Sequence, residues 1–267
     1  MLKVFTSFFI LYFSITSQAD PKMGSGNSNK YGILSSINIG IRYLSLLENR
    51  GVILYRDFQI DPVVGVFMFN DRLELFGDSF GYRDFIYEDK IRFRTRLLSI
   101  TDKPLFPSHD SIKSGLTERP DSFEWSNQLE FFFPGYNNNY ASEIDISINK
   151  DLKAHHGIYL NLQSKIKILS FHSTLLNATA EPNLLLSLGW GDSAHNKYFY
   201  GPSAESSSLN NASYGIWFAF PELSDRYYPI IQVRHFSTLG TNSDGELAMG
   251  RNNGWLISFI ATYGILE

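Results

Sequence analysis

Of the 267 residues, 43% are hydrophobic, 15% aromatic and 19% charged, and the formal net charge is −4. That balance gives the chain ample apolar surface to bury or to show to lipid, which excludes a disordered polymer. No Lys/Arg-rich run is present, so the electrostatic footprint of a nucleic-acid binder is missing. Zero cysteines exclude disulfides, thiolate metal sites and cysteine nucleophiles.

Met1-Leu2-Lys3 supplies one positive charge, Val4 to Ile15 is dominated by Phe, Ile and Leu, and Ser17-Gln18-Ala19 puts small residues where a signal peptidase reads. The apolar run is shorter than the roughly 20 residues of a spanning helix, so residues 1–19 read as a cleaved signal peptide and 20–267 as one domain. Asp20 to Lys30, rich in Gly, Ser and Asn, reads as a flexible lead-in. Beyond residue 19 the longest apolar run is Val63 to Phe69, so any membrane crossing must use strands.

Weaker strand patterns cover Gly32–Ser45, Val52–Phe58, Val63–Asn70, Arg72–Phe76 and Phe80–Tyr87. Ile91–Leu97 then sets Ile91, Phe93, Thr95 and Leu97 against Arg92, Arg94 and Arg96, a guanidinium-bearing face that must be hydrated or paired with acids. Ser122–Phe133, Glu143–Asn149 and Gly157–Ile168 alternate strictly; in the last, Ile158, Leu160, Leu162, Ile166 and Ile168 oppose Tyr159, Asn161, Gln163, Lys165 and Lys167. Asn183–Trp190, Tyr214–Phe220, Tyr228–Phe236 and Trp255–Ile265 complete roughly a dozen strands, with no amphipathic helix between them. Turn-rich polar segments at Thr101–Pro120, Pro134–Asn139, Gly191–Asn196, Gly201–Asn211 and Gly240–Gly254 read as surface loops of unequal length.

A soluble β-sandwich would alternate in the same way. An export signal and aromatics near strand ends (Tyr31, Trp125, Phe133, Tyr140, Trp190, Tyr214, Trp255, Tyr263) favour instead an all-β, antiparallel transmembrane β-barrel of about 12 strands, with ten as the alternative, in a Gram-negative outer membrane. Arg92, Arg94, Arg96, Glu143, Asp145, Lys165 and Lys167 would then point into the lumen, where opposite charges can close it by pairing or tune ion passage.

One pattern admits nucleophilic chemistry. His235 and Ser237 share a strand face with Ile231 and Val233, and Glu246 follows in the next loop, so a serine, a base and a carboxylate are available to an acyl-transfer site facing lipid. The other reading makes His235 an interfacial residue and Ser237 the start of a turn. His155 and His156 are adjacent, hence on opposite faces of a strand, and His109, His172 and His195 stand in unrelated segments, so no metal site is expected. No Gly-x-Gly-x-x-Gly or P-loop pattern occurs, and no cofactor is expected.

Three segments carry a family resemblance. Gly115-Leu116-Thr117-Glu118-Arg119-Pro120-Asp121-Ser122, Tyr198-Phe199-Tyr200-Gly201, and Arg234 to Gly240 followed by Ser243-Asp244 and a last strand from Trp255 occur in the order, and at the places, where the MipA/OmpV family of outer-membrane proteins has similar segments. The resemblance implies a non-enzymatic protein in the outer membrane, in contact with its lipid, that either holds a murein lytic transglycosylase and a murein synthase as a scaffold or acts as a surface-exposed barrel. His235-x-Ser237 is also somewhat similar to the His-x-Ser of outer-membrane lipid A deacylases, which makes such a hydrolase one alternative and a small-solute porin the other.

Overall fold

The computed structural model describes residues 34–45, 47–50, 52–55, 59–100, 121–134, 140–174, 177–201, 204, 206–220, 227–239 and 253–266. Residues 1–19, read above as a signal peptide, residues 20–30, read as a lead-in, Glu246 and residues 101–120 lie outside them.

Following the wall from its first strand, β1 (Leu34–Leu44) is succeeded by a small hairpin of β2 (Leu47–Asn49) and β3 (Val52–Tyr55), which belongs to a connecting loop. Then come β4 (Gln59–Met68), β5 (Leu73–Phe76), β6 (Ser79–Tyr87), β7 (Ile91–Ile100), β8 (Ser122–Pro134), β9 (Tyr140–Asp151) and β10 (Ile158–Lys167). The three-residue β11 (Phe171–Ser173) only extends one edge of β12 (Ala178–Gly191), which is followed by a helix at Ser193–Tyr200, β13 (Ser208–Ala219), β14 (Tyr227–Thr238) and β15 (Asn253–Leu266). All pairings are antiparallel, β10 pairs directly with β12, and β15 pairs with β1, so twelve strands close into a barrel.

Alternation decides which side chains face out. On β9, Ile144, Ile146 and Ile148 point outward and Glu143, Asp145, Ser147 and Asn149 inward; on β10, Leu160, Leu162 and Ile166 point outward and Tyr159, Asn161, Gln163 and Lys165 inward. Exposed Ile41, Leu97, Trp125, Leu186, Leu188 and Ile257 continue the apolar outer surface around the wall. Burial is therefore inverted relative to a soluble protein, with many of the buried residues polar or charged. Ile146→Lys puts an ammonium on that outer face and is expected to lower the unfolding free energy in lipid by about 2–4 kcal/mol. Urea titration in vesicles checks this, and unchanged stability would refute the lipid-facing assignment.

The rims differ. Residues 45–58, 101–121, 152–157, 192–207 and 239–252 connect strands at one end, the loop rim. Shorter turns such as 69–72 and 88–90, with both ends of the barrel sequence at Leu34 and Leu266, lie at the other.

The alternation in β4 begins four residues before the predicted Val63, because Pro62 reads as a strand breaker. The Val64 carbonyl accepts the Gly77 amide, so backbone groups of even-numbered β4 residues turn toward β5. Since β5 reaches only Gly65, the missing N–H of Pro62 faces a stretch with no ladder to serve.

Candidate functional site

Inside the barrel the alternating polar residues meet as ion pairs. Arg42 on β1 donates to Asp61 on β4 at 2.7 Å. The Glu74 carboxylate of β5 lies 3.4 Å from Arg94, 3.8 Å from Arg83 and 3.9 Å from Arg96. Glu130 of β8 takes Arg92 and, at 3.1 Å, Arg94, while Arg96 donates to Gln128 at 3.2 Å. On the adjoining strands Lys165 of β10 reaches Glu143 at 2.7 Å and Asp145 at 3.6 Å on β9, and Lys167 reaches Glu181 of β12 at 3.0 Å. The seven charged residues read as lumen-lining thus engage opposite charges on the adjacent strand or the next but one. A charge removed from water demands this, since an unpaired one is far costlier. Glu130, Glu143 and Asp145 bring ligand oxygens within 4.8 Å of one another, but Lys165, Arg92 and Arg94 already supply cations there.

Above this network, at the loop rim, a second assembly crosses the lumen. Asp192 caps the helix Ser193–Tyr200: one carboxylate oxygen accepts the His195 amide at 2.8 Å and the other the Ile158 amide at 2.9 Å, fixing the helix start to the wall. Gly157 and Gly191 are needed beside it, because a Cβ on Gly157 would collide with the His195 backbone and one on Gly191 with the Asn196 amide. The helix buries His195, Asn196, Phe199 and Tyr200. Asn196 donates to the carbonyls of Gly191 and Ser206.

Arg50, at the tip of the β2–β3 hairpin, reaches into the same space from the opposite side. Its guanidinium makes a bidentate pair with Glu124 of β8, at 2.8 and 2.5 Å, and lies 4.2 Å from the Tyr159 ring and 5.0 Å from the Phe199 ring. Burial pushes the Arg50 value down, but Glu124 more than offsets this and holds it above its ordinary value. Tyr200 donates its hydroxyl to the Arg50 carbonyl at 2.7 Å, and Tyr159 donates to Asn211 at 3.0 Å. The His195 ring stacks between Tyr159, 4.9 Å away, and Phe199, 4.5 Å away, with Nδ1 3.4 Å from Arg50 Nη1. Two loop segments are thereby locked together through buried contacts and form a plug.

Three expectations need correction. Residues 191–196 are not simply a loop, since a helix starts at Ser193. His155 and His156 do not lie on a strand: they occupy the β9–β10 turn, where Asp151 accepts both of their amides and His156 has positive φ. Nor are the histidines scattered, because His155 packs against His195, Tyr198 and Phe199, its ring 5.4 Å from that of His195.

His235 and Ser237 occupy the outward face of β14. The His235 ring lies 5.1 Å from Tyr214 and 5.0 Å from Trp255, an aromatic cluster spanning β13, β14 and β15, and its Nδ1 has no hydrogen-bond partner among the described residues. This is the setting of an interfacial aromatic residue. Arg50, Glu124, Tyr159, His195 and Tyr200 were not singled out from sequence. The Asp192 cap and the flanking Gly157 and Gly191 are the sequence signals that could have pointed to them.

No protein-family model matches the chain, and no curated protein does. Among solved structures, the crystal structure of the COG4313 outer membrane channel from Pseudomonas putida F1 is similar at 9% identity, with a TM-score of 0.39, covering 93% of this chain and 100% of that one.

Proposed function

We propose that the protein is an outer-membrane barrel, closed at rest, that works through contacts at its rims. The observation carrying this reading is the interior: inward charges are paired across the wall and a plug joined by Arg50, Glu124 and Tyr200 crosses the lumen, so the polar interior serves cohesion more than passage. The apolar outer surface, the short turns at one rim and the long loops at the other favour the outer membrane, with the loops facing outward. The resemblance of three segments to the MipA/OmpV family supports a scaffold for a murein lytic transglycosylase and a murein synthase, docked at the turn rim and requiring no catalytic group in this chain.

A second reading, a gated small-solute channel, draws on the origin of the plug. It is made of loop segments, so it can leave while the strand ladders of the wall stay paired. Planar-bilayer recording separates the two: the closed barrel is expected to give no steady current at neutral pH. A stable ohmic conductance there would sink the first reading and favour the second. Crosslinking in cells followed by capture of the solubilised barrel tests the partner, and recovery of lipid and insertion machinery alone would remove the scaffold role.

A further inference from the structure

We propose that the plug is an acid-released gate, in which protonation of the pair formed by buried His195 and half-buried His155 uncouples the helix Ser193–Tyr200 from Arg50 and opens the loop end of the lumen. This holds for either role of the barrel.

A guanidinium can only donate, so the His195 Nδ1 facing Arg50 Nη1 at 3.4 Å must carry its lone pair. A proton at that nitrogen sets N–H against N–H beside a permanent positive charge. His155, whose ring is 5.4 Å away, is in the same position, because burial holds its imidazole below the ordinary value; Asp151 pulls it back only in part, and Arg50 acts in the same direction as burial.

The charged and titratable groups facing the pair are few. Among the described residues, Arg50 comes from the hairpin, Glu124 from β8, Asp151 from the end of β9, Tyr159 from β10, and Asp192, Tyr198 and Tyr200 from the helix and its cap, the Tyr198 ring lying 4.5 Å from that of His155. Each carboxylate is already engaged: Glu124 by both Arg50 nitrogens, Asp151 by the Ser122 hydroxyl and the amides of His155 and His156, Asp192 by the amides of His195 and Ile158. A new imidazolium therefore competes with the contacts that seat the plug and shape the β9–β10 turn.

The sign follows from linkage. In the released plug both histidines are hydrated and titrate near their ordinary value of about 6.5, whereas the closed plug resists the proton. As pH falls below about 6.5 the open form takes up protons first. Each uncoupled histidine raises the open-to-closed ratio by up to tenfold per pH unit, and the gain vanishes at neutral pH.

The chain has no cysteine, so an introduced one is a clean reporter. Ala204, buried at 1% exposure just past the helix, and exposed Ser206 are each replaced by cysteine in the full barrel in vesicles, and maleimide labelling is followed from pH 7.5 to 5. The ratio of the Ala204→Cys rate to the Ser206→Cys rate cancels the thiol's own titration. It is expected to rise at least tenfold, and to stay flat in the His155→Gln/His195→Gln double variant. A flat ratio in the otherwise unchanged barrel overturns the proposal whatever the variants do, and so does an equal rise with both histidines replaced.

Discussion

Glu124→Leu is expected to release the plug, with tryptic cleavage after Lys197 accelerating roughly a hundredfold or more at neutral pH. Lys197 is exposed, but it sits in a helix whose other face is buried, so a protease reaches its backbone only when the helix leaves its seat. The substitution leaves the Arg50 guanidinium, with a side chain 7% exposed, without its bidentate acceptor; losing one partner of a buried pair costs about 3–5 kcal/mol. Where opening is fast relative to cleavage, that energy appears directly in the cleavage rate. Pairing Glu124→Leu with Arg50→Leu removes both charges and should recover much of the protection, because the penalty belongs to the orphaned charge. Cleavage as slow as in the unmodified barrel would mean that the helix is held by its aromatic contacts and the Asp192, Asn196 and Tyr200 hydrogen bonds without the Arg50–Glu124 pair.

Arg94→Glu is expected to prevent assembly outright. Arg94 bridges Glu74 and Glu130 with 4% of its side chain exposed, so reversing its sign brings three carboxylates together in a space that excludes water. The loss exceeds that of removing one buried partner, about 3–5 kcal/mol, because repulsion is added to it. For a barrel of ordinary marginal stability that is most of the total. On unheated gels the variant should lack the compact, fast-migrating form, and Arg94→Met should retain a weaker version of it. A fully folded Arg94→Glu barrel with altered ion selectivity would show instead that the arginine face lines a hydrated pore.

The wall was legible because lipid on one side and paired charge on the other impose a period of two, as in Ile144 to Asn149 and Ile158 to Lys167. What hid the start of β4 was Pro62, a residue allowed there only because of where β5 stops. The plug was harder to see for two reasons. Its helix, Ser-Ala-His-Asn-Lys-Tyr-Phe-Tyr, buries adjacent pairs at 195–196 and 199–200 that include histidine and asparagine, so no apolar stripe stands out. Its main pair, Arg50 with Glu124, joins residues 74 apart, a partnership that no local pattern encodes. His155 beside His195 is of the same kind: each looked solitary until the β9–β10 turn and the helix met across Gly157.

The seam between β1 and β15 also governs how the molecule is made. Ile39 of the first strand is joined to Tyr263 of the last, so the wall stays an open sheet with two sticky edges until nearly the whole chain has been delivered. Neighbouring hairpins such as β8–β9 can zip early, whereas the closing seam must wait for the most distant contact in the sequence. Glu124 is in place well before then, but Arg50 hangs from the loop after β1, the strand that docks against the final arrival. Sealing the cylinder and seating its stopper are thus late events of one assembly line, and a chain halted before Asn253 would leave both undone.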